Sequence, residues 1–141
     1  MHANSLREIH SAISGRMSDV SEKINRLEQA KRQINEEQDI CLGEIRKIIH
    51  PELAGSWTGN RADDFQDARS DAYKAMSTII HADYDDYQEK IEGKITMLNI
   101  EKTALSAAGT IAHEADALLE KGEAVIDQLE SKLSYLKGWL F

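Results

Sequence analysis

Every seventh residue from Leu6 is apolar: Leu6, Ile13, Val20, Leu27, Ile34, Cys41 and Ile48. Four residues beyond them stand His10, Met17, Ile24, Lys31, Gln38 and Ile45, apolar at Met17, Ile24 and Ile45 and polar elsewhere. A strand repeats every second residue and cannot sustain a seven-residue period, whereas a helix facing another helix does. The pattern predicts a helix over about residues 3–49, with a left-handed seam roughly 70 Å long at ~1.5 Å per residue. Glu22/Arg26 and Glu28/Arg32 add pairs at i,i+4 spacing on its polar faces. Gly15 and Gly43 weaken such a helix by about 1 kcal/mol each without ending it.

The pattern stops at Ile49-His50-Pro51, where the proline disfavours helix in the residue before it. Residues 50–59 read as a turn, with Ser56, Thr58 and Asn60 as candidate N-caps and Asp63 and Asp64 suited to a helix N-terminus. A second stripe follows in steps of three or four: Phe65, Ala68, Ala72, Met76, Ile79/Ile80, Tyr84, Tyr87, Ile91, Ile95, Leu98 and Leu105. It predicts a helix over about 60–106. Ala107-Ala108-Gly109-Thr110 is the next interruption expected, and a third stripe, from Ile111 through Leu118, Ile126, Leu129, Leu133 and Leu136 to Leu140, predicts a C-terminal helix over about 110–138 or an extension of the second. Two long helices joined by a short turn must fold back on each other to bury their stripes. The expectation is one all-α domain over residues 1–141: a long antiparallel, coiled-coil-like hairpin with a Trp-x-Gly turn and an extra C-terminal helix.

Composition narrows the function. The 141 residues carry 17 Lys+Arg against 25 Asp+Glu, a formal charge of −8. A nucleic-acid-coating protein is normally basic, so that class is excluded. One proline and one cysteine argue against a turn-rich β-sandwich, a disulfide framework and a cysteine-based zinc site. Residues 3–49 hold eight basic and eight acidic side chains, so the acidity belongs to the second half. No apolar run is long enough for a membrane span, and the N-terminus shows no leader-like apolar core. The expected location is the cytoplasm, or export without a cleaved signal peptide.

The candidate chemistry is sparse. His81 and Asp85 share a helix face at i,i+4, but none of the histidines has Glu three residues earlier, as a di-iron bundle requires. His113-Glu114-Ala115-Asp116 reads in the same way, as a solvated acidic face. Cys41 lies on the heptad row and reads as a small core residue. Lys31 and Gln38 are polar seam positions of the kind that set register. Glycine-rich phosphate loops, nucleophile elbows and zinc-protease motifs are missing from the sequence, so neither an enzyme nor a cofactor is expected. Trp139-Leu140-Phe141 is an apolar C-terminus that calls for burial or a partner.

The turn carries the most information. Trp57, Gly59, Ala62 and Phe65 form W-x-G-x-x-A-x-x-F between two long amphipathic segments. A tryptophan there can close the open end of a helix pair, Gly59 permits a backbone conformation that other residues resist, and Ala62 and Phe65 open the next buried stripe. These residues resemble the WXG superfamily of helical-hairpin proteins exported by type VII secretion systems of Gram-positive bacteria. Over about residues 5–105 the layout is similar to the YwqH-like proteins, which are like the small partners of LXG toxins. The resemblance implies a non-enzymatic adaptor. Its partner would be the helical N-terminal domain of an LXG-type toxin or another WXG-like protein, with homo-oligomers as a further outcome. The pairing seam would be Leu6, Ile13, Val20, Leu27, Ile34 and Ile48 with Tyr84 and Tyr87. Exported members carry Tyr or Phe followed four residues later by Asp or Glu. Here Tyr84 meets Gln88, Tyr87 meets Ile91, Tyr73 meets Ser77 and Phe65 meets Arg69. The alternative is a coiled-coil scaffold unrelated to secretion, using the same seams.

Overall fold

The computed structural model describes residues 2–49, 58–122 and 125–141. They are all-α, with no strand among them. Helix α1 spans His2–Ile45 and tightens into a 3₁₀ turn at Arg46–Ile48; α2 spans Asn60–Lys121 and α3 Ile126–Leu140. One expectation needs correction. The interruption at 107–110 does not occur, and α2 runs on to Lys121, so the C-terminal helix begins at Ile126 rather than near 110. Alanine is the best helix former and outweighs the single Gly109. The break falls instead at Gly122, whose φ of 81° ends α2 in the left-handed conformation. By packing, the chain divides into two compact units.

The first unit comprises Met1–Arg26 and Ile95–Phe141. It draws on three helices. From α1 come Leu6, Ile9, Ile13, Val20 and Ile24, from α2 Leu98, Leu105, Ala108, Ala112, Ala115 and Leu118, and from α3 Leu129, Leu133, Leu136 and Leu140, all buried. Ile9, Leu105, Ala112, Ala115 and Leu136 are fully buried, at 0% exposure. The run of small residues on α2 lets neighbouring helices approach closely, and the leucine spacing on α3 is one amphipathic stripe. The apolar C-terminus divides by phase: Leu140 is buried, Trp139 lies beneath the Arg16 guanidinium at 5.9 Å, and Phe141 is exposed. Arg16 Nη2 also donates to the Leu140 carbonyl at 2.6 Å, satisfying one of the acceptors that a helix C-terminus leaves open. His10 Nε2 is hydrogen-bonded to Asp116 Oδ2 at 2.8 Å, with His113 Nδ1 3.8 Å from the same oxygen.

The second unit, Leu27–Lys94, pairs the later part of α1 with the earlier part of α2. Contacts step down α2 as they step up α1. Gln88 reaches Lys31 and Asn35, Gln38 reaches Ile80, Cys41 reaches Tyr84, and Arg69 reaches Ile48. The pair is therefore antiparallel. Its burial is thinner, with Ile45, Ala62, Ile80 and Gln88 buried and Leu27, Ile34, Cys41, Ile48, Tyr84 and Ile91 half-buried.

Candidate interaction surface

The turn motif is described only from Thr58 onward, and Trp57 lies outside the described residues. Gly59 has φ of 101°, and its carbonyl accepts the Asp63 N–H at 3.0 Å, so it stands at the N-cap of α2. Among the described residues, nothing lies within 4 Å of where a Cβ would be. The requirement for glycine is thus torsional rather than steric. Thr58 and Asn60 flank it and are exposed; the other candidate cap, Ser56, is outside the described residues.

Ala62 and Phe65 separate. Ala62 is buried at 7%, while Phe65 is 52% exposed, contrary to the expectation that both open the buried stripe. The inward row of α2 is Ala62, Arg69, Tyr73, Ser77, Ile80, Tyr84, Gln88 and Ile91, in steps of three, four and seven. Three of its members are polar, and this hid it from a hydrophobic reading. The residues expected to be buried, Phe65, Ala68, Ala72, Met76, Ile79 and Tyr87, are exposed on an adjoining face. Arg69 and Gln88 hold inward positions with hydrogen-bond partners on the α1 side. Arg69 Nε donates to the Ile48 carbonyl at 2.6 Å, tying the end of the 3₁₀ turn to α2, and its guanidinium covers the Phe65 ring at 5.4 Å. No motif announces Arg69. The signal that could have found it is its place seven residues after Ala62.

The α1 side matches the heptad reading more closely. Leu6, Ile13 and Val20 are buried in the first unit, and Leu27, Ile34, Cys41 and Ile48 half-buried in the second. Ile9, fully buried, belongs to neither row picked out by the seven-residue count. Of the polar seam positions, Lys31 Nζ pairs with Glu92 at 2.7 Å, and Gln38 Nε2 donates to the Ile80 carbonyl and to Asp85 Oδ1, each at 3.2 Å. Gln88 Nε2 donates to the Lys31 carbonyl at 3.0 Å and to Asn35 Oδ1 at 2.8 Å, while its Oε1 is buried without a partner.

Tyr84 stands 3.8 Å from Cys41 Sγ. That hydrogen bond, followed by burial and then the charges of Cys41 and Glu37, pushes its phenol above the ordinary value. Tyr87 points outward with Lys90 over its ring at 5.8 Å, and Lys90 is itself raised, chiefly by its hydrogen bond to Asp86. His81 and Asp85 do not converge on a site: Asp85 serves Gln38, and no cluster of three metal-ligating side chains exists among the described residues. Nor is any helix among them long and apolar enough to cross a membrane.

Between the paired helices of this second unit lies an open groove of about 360 Å³. Ile45, Ile48, Ile80, Cys41 and Tyr84 line it, with Met76 and Ile79 along one wall and Glu44 at its edge. Its lining is chiefly apolar, with Cys41, Glu44 and Tyr84 as the polar exceptions.

Comparison with known proteins agrees with this helical layout. The family model described as YwqH-like matches residues 2–108. Protein YwqH of Bacillus subtilis (strain 168) is 37% identical over 134 residues, covering 95% of this chain and 96% of that protein. No solved structure matches the chain. A family match that takes in α1 and most of α2, with a relative alike over 95% of this chain, establishes that the chain belongs to the YwqH-like family.

Proposed function

We propose that this chain is a non-enzymatic partner protein of type VII secretion. It would act as a targeting or chaperone-like adaptor that pairs through its helices with the helical N-terminal domain of an LXG-type toxin. The observation that carries the reading is the YwqH-like match over residues 2–108, which spans Trp57, Gly59 and Ala62 together with both helices that flank them. In this reading α1 and α2 form one hairpin closed by the Trp-x-Gly turn. The left-handed Gly59 and the buried Ala62 support such a turn.

The missing export signal fits an adaptor that depends on its partner. Where exported relatives carry an acidic residue four positions after a tyrosine, Gln88 is buried and spends its amide on α1. The toxin then supplies the signal, and this protein is made in the cytoplasm and leaves it, if at all, in the complex. Affinity comes from apolar burial, at roughly 25 cal/mol per Å² before the costs of association.

The test is co-secretion with a candidate LXG toxin from the same organism. Trp57→Ala and Gly59→Arg variants that keep the helical circular dichroism of the parent are expected to lose most co-secretion. Full co-secretion by both, or failure of the parent chain to co-purify with that toxin's N-terminal domain, overturns the proposal.

A further inference from the structure

The groove of the second unit has the features of a helix site left open. In the first unit α1 and α2 are joined by α3, and the core side chains reach 0% exposure. The second unit holds two helices among its described residues, and its seam stays half-buried. Met76 and Ile79, on one wall of the groove, are 43% and 52% exposed, and Phe65, earlier on the same exposed stripe of α2, is 52% exposed. Isolated exposed apolar residues are ordinary, but a stripe continuous with an apolar groove marks an interaction surface.

Charge selects the occupant. Residues 27–94 carry fifteen Asp/Glu against nine Lys/Arg, so this unit holds most of the chain's excess acidity. Glu44 edges the groove, Glu37 is near enough to Tyr84 to act on its phenol by charge, and Asp83 follows Ile79 by one helical turn. Two copies meeting through this face would set carboxylate against carboxylate. Nor can the α3 stripe of a second copy serve, since Leu129, Leu133, Leu136 and Leu140 are already buried.

We propose that the groove between Ile45/Ile48 and Met76/Ile79 receives an amphipathic helix of a different protein, whose apolar stripe is bordered by Lys and Arg. The inference rests on the pairing function above and names the face and the partner chemistry. Apolar side chains of the incoming helix fill the groove against Ile80 and Tyr84, and its basic border meets Glu37, Glu44 and Asp83 (helix-in-groove recognition).

The experiment uses the full chain and two fluorescein-labelled synthetic peptides. Both are amphipathic helices with leucine at the a and d positions; one has lysine at the bordering positions and the other glutamate. Fluorescence anisotropy is expected to show the lysine peptide binding about tenfold or more tighter than the glutamate peptide, an advantage that shrinks with salt. Ile79→Asp, at an exposed site, is expected to weaken the lysine peptide about tenfold or more. Met97→Asp, on the first unit, is expected to leave it unchanged. Failure of the lysine peptide to bind, equal binding of the two peptides, or equal loss by both variants overturns the inference. So does a dimer of this chain in light scattering that Ile79→Asp dissociates, which would make a second copy the occupant. Wild-type yield of the LXG domain with Ile79→Asp sinks this inference alone, whereas no yield with the parent chain sinks the secretion function beneath it.

Discussion

Gln88 is nine-tenths buried with its amide oxygen unpaired, while its Nε2 donates to the Lys31 carbonyl and to Asn35 Oδ1. A buried, unsatisfied acceptor costs about 1–3 kcal/mol, and replacing it with an apolar group of similar shape returns part of that. Gln88→Met combined with Asn35→Leu, which removes both side chains of that polar contact, is therefore expected to raise the unfolding free energy by about 1 kcal/mol in urea; a lowered midpoint counts against this account. Tyr84 supports a second prediction. With its phenol raised by Cys41 and burial, it is expected to titrate above the ordinary tyrosine value when absorbance near 295 nm is followed. The linkage has a definite sign. A group raised in the folded state contributes stability below its unfolded value, near 10, and the contribution is lost as pH rises through the higher folded value. Cys41→Ala removes the leading cause and is expected to bring Tyr84 back toward that ordinary value; an unchanged titration would assign the shift elsewhere.

At the scale of elements, the two ends of α2 depend on glycine for the same reason. Gly59 and Gly122 have φ of 101° and 81°, with open space, among the described residues, where a side chain would sit. Alanine at either site is expected to cost about 1–2 kcal/mol, from torsion alone. Thermal melts check this, and no loss at Gly122 would mean that the turn re-forms another way. Inside α2, Ala112 is fully buried in the first unit, so Ala112→Leu is expected to destabilise by about 1–3 kcal/mol or more. Much of this was legible in the amino-acid pattern. The heptad row from Leu6 to Ile48 marks the inward face of α1, and the α3 leucines fall in phase. The inward face of α2 was not legible before Ile80, because Arg69 and Ser77 occupy it while Phe65, Ala72 and Met76 lie outside. Hydrophobicity predicts burial only where apolar side chains outnumber the polar groups able to find partners, and here Arg69 has the Ile48 carbonyl. The helix end at Gly122 was missed for a different reason: the Ala107–Thr110 stretch drew attention to composition, while the conformation turned on one backbone angle.

For the whole molecule, the contrast in burial predicts unequal resistance to opening. Amides near Ile9, Leu105 and Leu136 are expected to exchange with solvent far more slowly than those near Ile34 or Tyr84. Hydrogen exchange followed by mass spectrometry tests this directly, and uniform protection would contradict it. Binding of a helix to the groove is expected to slow exchange in residues 27–94 first.

The first unit is discontinuous, with residues 27–94 interposed between its two segments. This ordering has a kinetic consequence. Joining the early part of α1 to the late part of α2 means closing a long loop, whose entropy grows with the logarithm of its length. Pairing residues 27–49 with 58–94 needs a much shorter closure. Once made, it shortens the effective loop that the better-buried unit must span. On loop length alone, the thinly packed pair is expected to form before α1 closes onto the core of the first unit.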